Sequence, residues 1–133
     1  MTTTQEREQT FILLFEKSFN PDATCEELIS LAKENEVIKD TSYTTALFIK
    51  TCDNIDEIDA SVREYSKGRS FSRISKVSLA VLRLAVCEIK YFDKVPVGVT
   101  INEAVNLCKK YASDDEYTFV NGILGSYAKS LNL

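Results

Sequence analysis

The chain has 133 residues, 44% hydrophobic and 27% charged, with 4 glycines, 2 prolines and a net charge of −4. That length suits one compact domain with a single core, and so few glycines and prolines leave little room for the turns of an all-β fold. No stretch approaches the roughly 20 apolar residues of a membrane span, and the absence of histidine excludes Ser-His and Cys-His nucleophiles and His-ligated metal sites.

Two further features bear on compartment and partners. The N-terminal MTTTQEREQTF has neither the basic flank nor the apolar run of a signal peptide. Cys25, Cys52, Cys87 and Cys108 show no C-x-x-C spacing and fall in helix-like segments, as expected of free thiols in a reducing cytoplasm. No metal site and no cofactor are expected. The charge is also uneven: residues 1–62 hold 5 basic and 13 acidic residues, whereas residues 63–133 hold 11 and 7. A domain polarised in this way can offer a basic face to an anionic partner.

Helical signals then follow almost end to end. TTTQEREQTFILLFEKSF places Phe11, Leu14, Phe15 and Phe19 on one stripe, and NPD ends it. TCEE reads as a capping box of Thr24 with Glu27, opening a helix with Leu28, Leu31 and Ala32 inward. SYTTALFIKTC is a third helix. A fourth carries Ile55, Ile58, Val62 and Tyr65, with Gly68 placed to end it. The fifth, SKVSLAVLRLAVCEIKYF, is apolar nearly all round and belongs at the centre of a bundle. After Pro96, TINE predicts a second capping box (Thr100 with Glu103), with Ile101, Ala104, Val105 and Cys108 facing inward. SDDE predicts a third (Ser113 with Glu116), opening a last helix whose stripe is Val120, Ile123, Leu124, Tyr127 and Leu131. The expected fold is all-α: a compact bundle of about seven helices in one domain.

Some residues break the pattern. Gly122 and Gly125 weaken the last helix by about 1 kcal/mol each relative to alanine, and the expectation is that another backbone approaches closely there. Asn102 and Asn121 sit among apolar residues, which predicts amides clipped to a neighbouring loop. Arg83 interrupts the most apolar helix and needs a carboxylate or carbonyl oxygens; Glu88 and Glu103 are both candidate acids. No nucleophile, metal cluster or cleft signature marks a catalyst, so no enzymatic activity is expected.

The segments REQTFILLFEKSF, LAVLRLAVCEI, VP followed by INEAV, KKY and FVNGIL, in that order, resemble the NusB family of transcription antitermination factors over essentially the whole chain. The resemblance implies two small helical subdomains, about 1–68 and about 69–133. It also implies a non-enzymatic role. Family members pair with NusE, a small-subunit ribosomal protein, and bind the boxA element of single-stranded RNA. Within the RNA polymerase antitermination complex they promote read-through of ribosomal RNA operons. The alternative is a helical adaptor or homodimer without strong RNA binding of its own.

One stretch has the composition of an RNA surface. REYSKGRSFSRISK gathers Arg63, Lys67, Arg69, Arg73 and Lys76 around Tyr65 and Phe71, so that cations can neutralise phosphates while rings stack unpaired bases. Composition alone leaves a solvated loop equally open; the resemblance favours RNA and adds Ser66 and Ser72 as matched contact positions. It also adds Asp115 and Phe119 at the start of the last helix. In the family the first helix begins with an arginine-rich run, which here becomes Thr3, Thr4 and Gln5, leaving Arg7. By the same resemblance NusE docks near the start of the fifth helix, at Ser78 and its exposed neighbours.

Overall fold

The structure is a computed structural model that describes residues 2–39, 42–113 and 115–133. Among these residues the elements are seven α-helices and one short 3-10 turn, with no strand. The helices are α1 (Thr3–Phe19), α2 (Cys25–Glu34), α3 (Ser42–Asp53), α4 (Ile55–Tyr65), α5 (Lys76–Tyr91), α6 (Val97–Tyr111) and α7 (Glu116–Ser130); the 3-10 turn, Phe71–Arg73, lies between α4 and α5. The all-α bundle is as the hydrophobic periodicity predicts, and no helix is long and apolar enough to cross a membrane among the described residues.

Helix α5 forms the centre, packing against α1, α3, α4, α6 and α7. Its composition requires this: Ala80, Val81, Leu82, Ala85, Val86 and Cys87 point in all directions and are all fully buried. A helix apolar on every side is stable only when neighbours cover every side. Ser75 caps it, its hydroxyl accepting from the Ser78 amide at 3.1 Å. Thr24 caps α2 by accepting from the Glu27 amide, but the box that TCEE predicts is only half formed, since the Glu27 carboxylate accepts from the Thr24 hydroxyl rather than from its backbone amide. Helix α1 has a complete capping box that the sequence reading missed, in which the Thr2 hydroxyl and Gln5 carboxamide each accept from the other's backbone amide.

The other two capping boxes do not form. Helix α6 begins at Val97, directly after Pro96, so Thr100 lies one turn inside it; its buried hydroxyl donates to Glu88 at 2.6 Å instead. Glu116 opens α7 and turns its carboxylate toward the 3-10 segment, while Ser113 contributes only its backbone carbonyl, which accepts from the Glu116 amide. Asp114, the first aspartate of SDDE, lies outside the described residues.

A charged network fastens the bundle. Glu88, fully buried on α5, accepts from Arg7 Nε of α1 at 2.9 and 3.0 Å, from Thr100 of α6, and from the Tyr43 hydroxyl of α3. One carboxylate thereby ties four helices together. Burial and the hydrogen bond to Glu88 push the Tyr43 phenol well above its ordinary range. Arg83 takes neither acid expected for it: it pairs in a fork with Asp59 of α4, at 2.9 and 2.8 Å. Glu103 instead accepts from the Thr4 hydroxyl.

Several inward assignments also change. Leu31 is 53% exposed and Phe19 55% exposed. Leu131, past the end of α7, is exposed too. Asn102 and Asn121 are exposed and clip nothing. Apart from the backbone of the helix itself and the adjacent residues, no atom lies within 4 Å of where a Cβ would stand on Gly122 or Gly125, so no other backbone packs against either glycine. Gly68 does have the conformation its place suggests, with φ +83° just beyond α4.

Candidate nucleic-acid interface

The stretch between α4 and α5 is an ordered edge of the domain. Ile74 is buried and anchors it. The Ser66 hydroxyl donates to the Arg69 carbonyl at 2.7 Å, and amides of Arg73 and Ile74 close the 3-10 turn on Ser70 and Phe71. These bonds fix the backbone and so aim the cations. The Arg63 guanidinium lies 4.2 Å from the centroid of the Phe71 ring. That of Arg69 lies 3.8 Å from the centroid of Phe119, bringing the loop onto the start of α7. Lys76 donates to the Ser18 carbonyl and approaches the Phe19 ring at 5.2 Å.

Glu116 is the hub of this edge. Its carboxylate receives Arg69 Nη1 at 2.9 and 3.0 Å, the Ser78 hydroxyl at 3.0 Å and the Ser75 hydroxyl at 3.3 Å. Burial raises its pKa, but the donors from Arg69 and Ser78 together with the charge of Arg69 outweigh burial and hold the carboxyl below its ordinary value. Glu116 therefore stays ionised and neutralises one of the edge's cations. Read locally, SDDE suggests a cap; nothing local reports a partner 47 residues away.

The structure brings together Tyr65, Ser66, Lys67, Arg69, Phe71, Ser72, Arg73 and Lys76 along the chain from the last residue of α4 to the first of α5, with Phe119 joined to them through Arg69. Lys67, Ser72, Arg73 and Lys76 are exposed, whereas Tyr65, Ser66, Arg69, Phe71 and Phe119 are half-buried. Tyr65 meets Tyr127 edge-on, with ring centroids 6.0 Å apart. Asp115 is exposed at the head of α7 and its side chain caps nothing.

Two expected contacts are not on this surface. Arg7 is only 4% exposed and its guanidinium is committed to Glu88, so it faces the core. Ser78 is fully buried under Glu116, which leaves surface contact at the start of α5 to its exposed neighbours Ser75 and Lys76. The thiols are free: Cys87 and Cys108 are buried, and burial pushes them up to about 11 and about 12. No group of three or more potential metal-ligating side chains occurs among the described residues.

Comparison with known proteins agrees with this architecture. The profile described as the NusB family matches residues 4–129. The transcription antitermination protein NusB of Natranaerobius thermophilus is 36% identical, with 99% of this chain and 98% of that protein aligned. Among solved structures, NusB of T. maritima superposes with a TM-score of 0.82 at 28% identity, covering 97% of this chain and 92% of that one. A chain from the crystal structure of antitermination factors NusB and NusE in complex with double-stranded RNA gives 0.84 at 27% identity, covering 98% and 99%.

Proposed function

The chain belongs to the NusB family, and on that footing we propose that it is a transcription antitermination factor. It binds single-stranded boxA-type RNA together with the ribosomal protein NusE and helps RNA polymerase read through ribosomal RNA operons. The role is one of binding rather than catalysis, exercised in the cytoplasm, where transcripts are made. The observation that carries this reading is the edge between α4 and α5, where Arg63 and Arg69 each lie over an aromatic ring beside exposed Lys67, Arg73 and Lys76. Cations beside ring faces on a fixed backbone meet the two needs of an unpaired strand, phosphate neutralisation and base stacking.

In this reading Tyr65, Ser66, Lys67, Arg69, Phe71, Ser72, Arg73, Lys76, Asp115 and Phe119 form the RNA surface. Arg7 is a structural ion-pair partner. NusE docks at the start of α5 through the exposed residues around Ser78. Asp115 cannot attract phosphate; its place is as an acceptor for base amino groups.

Titration of boxA RNA against the protein, with and without NusE, tests the reading. Replacing Arg69, Arg73 and Lys76 with alanine should flatten the salt dependence by about 0.7 for the uncommitted Arg73 and by less for each of Arg69 and Lys76, which hold partners within the protein, so by no more than about 2 in all. Unchanged affinity and slope in the NusE-bound triple variant would place the RNA elsewhere.

A further inference from the structure

Helix α2 leaves large apolar side chains in solvent on the acidic half of the chain: Leu31 is 53% exposed and Val37 50%. Val37 is held there by backbone bonds. The Glu36 amide donates to the Lys33 carbonyl at 3.1 Å and the Val37 amide to the Ala32 carbonyl at 2.8 Å, closing the C-terminus of α2. To make this turn Glu36 takes φ +56°, a conformation that favours glycine. Leu31 and Val37 edge a groove of about 450 Å³ between α1 and α2, lined also by Ile12, Ala32 and the buried Leu13 and Leu28. The charged residues of its lining are Glu16 and Glu27, with no lysine or arginine among the described residues. Glu26, Glu34 and Glu36 are exposed close by in the chain, on α2 and its C-terminal turn, against one cation, Lys33.

We propose that this groove docks a basic amphipathic helix of a second protein, with its apolar face against Leu31 and Val37 and its cations against Glu16 and Glu27. The inference goes beyond the RNA and NusE reading, since the groove lining includes none of the residues assigned to RNA or to the start of α5. Shape argues for a helix: two helices form the walls, and an amphipathic helix laid into an apolar groove is a recurrent mode of recognition. The polar groups argue against a small polar ligand, because the amides of Asn20 and Asn35 turn to the carbonyls of Glu16 and Leu31. Charge sets the class of partner. Carboxylates at the rim attract a cationic helix and repel an acidic one or a nucleic acid. A second copy of this chain, docked groove to groove about a twofold axis, would bring the same carboxylates face to face. Fixed apolar side chains that already stand in water lose their hydration on docking without being reordered.

The probe is a synthetic amphipathic peptide of about 18 residues, leucine on one face and lysine on the other, titrated by fluorescence anisotropy. A peptide of the same composition, scrambled to remove the apolar face, is the control for charge alone. The first should bind at least tenfold more tightly, and amide shifts of the labelled protein should centre on α1 and α2. Replacing Leu31→Ser with Val37→Ser should weaken binding about tenfold, as two apolar side chains are lost from the contact. Both positions are half exposed, so the thermal midpoint should stay near wild type. Glu16→Gln with Glu27→Gln should weaken binding about threefold and flatten its salt dependence. The Leu31 and Val37 variant should bind NusE and boxA RNA as wild type does. Equal binding of the scrambled peptide, shifts centred away from α1 and α2, or wild-type affinity in the serine variant overturns the inference. Loss of NusE binding in that variant also overturns it, by making the groove part of the NusE dock. So does self-association of wild type in sedimentation that the serine variant abolishes, which would make a second copy the occupant.

Discussion

Replacing Arg7 with methionine separates two roles that a first-helix arginine could play. In the structure its guanidinium is 4% exposed and Glu88 is fully buried, with the pair at 2.9 Å. Removing one partner of a buried ion pair strands the other charge, which costs about 3–5 kcal/mol. Glu88 would retain the Tyr43 and Thr100 hydroxyls as donors, so the low end applies, about 3 kcal/mol. For a domain of this size that lowers the thermal midpoint by about 10 °C. The assay is a thermal melt followed by circular dichroism, paired with a salt titration of RNA binding at a temperature where the variant stays folded. The salt slope should match wild type. The double variant Arg7→Met with Glu88→Leu should recover part of the loss, because an apolar pair of similar volume removes the stranded charge. If Arg7 instead gripped phosphate from the surface, the midpoint would stay within the range of surface substitutions, about 0.5 kcal/mol, and the slope would fall by about 0.7. That result would refute the assignment.

Glu116→Gln frees Arg69 from its carboxylate while keeping an acceptor for Ser75 and Ser78, so RNA affinity should rise about fivefold, the scale of a partly exposed ion pair; a fall in filter binding would mean that Glu116 positions Arg69 for RNA. Native protein at pH 8 treated with iodoacetamide should leave Cys87 and Cys108 unmodified by mass spectrometry, since burial pushes these thiols up to about 11 and about 12 and only the thiolate reacts; labelling of either in the folded protein contradicts this. Acid should unfold the domain partly through Glu8, lowered by hydrogen bonds from Lys110 and Tyr111, and through Glu116. A carboxyl depressed in the folded state stabilises above its unfolded pKa and loses that contribution as pH falls through the folded one. The midpoint should therefore drop on acidification from about pH 4.3, less steeply in Glu116→Gln, and an identical pH profile for that variant would exclude the linkage.

The helices were legible because their cause is local. A repeat near 3.6 residues, a Thr-x-x-Glu cap and an all-apolar segment each carry their own reason, and α5 could be placed at the centre from composition alone. What failed was any inference that depended on distant partners. Thr100 and Glu116 both carry the capping-box pattern, yet their side chains serve residues on other elements, and a four-residue motif cannot report that. Arg83 chose Asp59, 24 residues away, over the nearer Glu88 and the equally plausible Glu103. Arg7 could have been read better. It lies four and seven residues before Phe11 and Leu14, on the same buried stripe of α1, and Glu88 is the lone acid in the most buried helix. Two opposite charges, each on a face that must be apolar, point to one another. Gly122 was noticed because glycine weakens a helix, but the close packing expected of it is absent.

The basic edge holds less available charge than its composition suggests. Arg69 is neutralised by Glu116, and Lys76 is drawn to the Ser18 carbonyl and the Phe19 ring. Arg63 is spread over Phe71. Among the described residues Lys67 and Arg73 are exposed, and their side chains show no hydrogen bond, ion pair or ring contact. RNA arriving at this edge meets two uncommitted cations and gains others only by displacing intramolecular partners, so each further phosphate contact yields less than its full share of counterion release. With Arg7 turned inward and Thr3, Thr4 and Gln5 uncharged, α1 adds little to that attraction. Such a surface is suited to orienting a strand and receiving its bases, while a second protein supplies the remaining affinity. The division of labour proposed with NusE therefore has a physical basis in this chain: its own cations are mostly committed to holding the edge in shape.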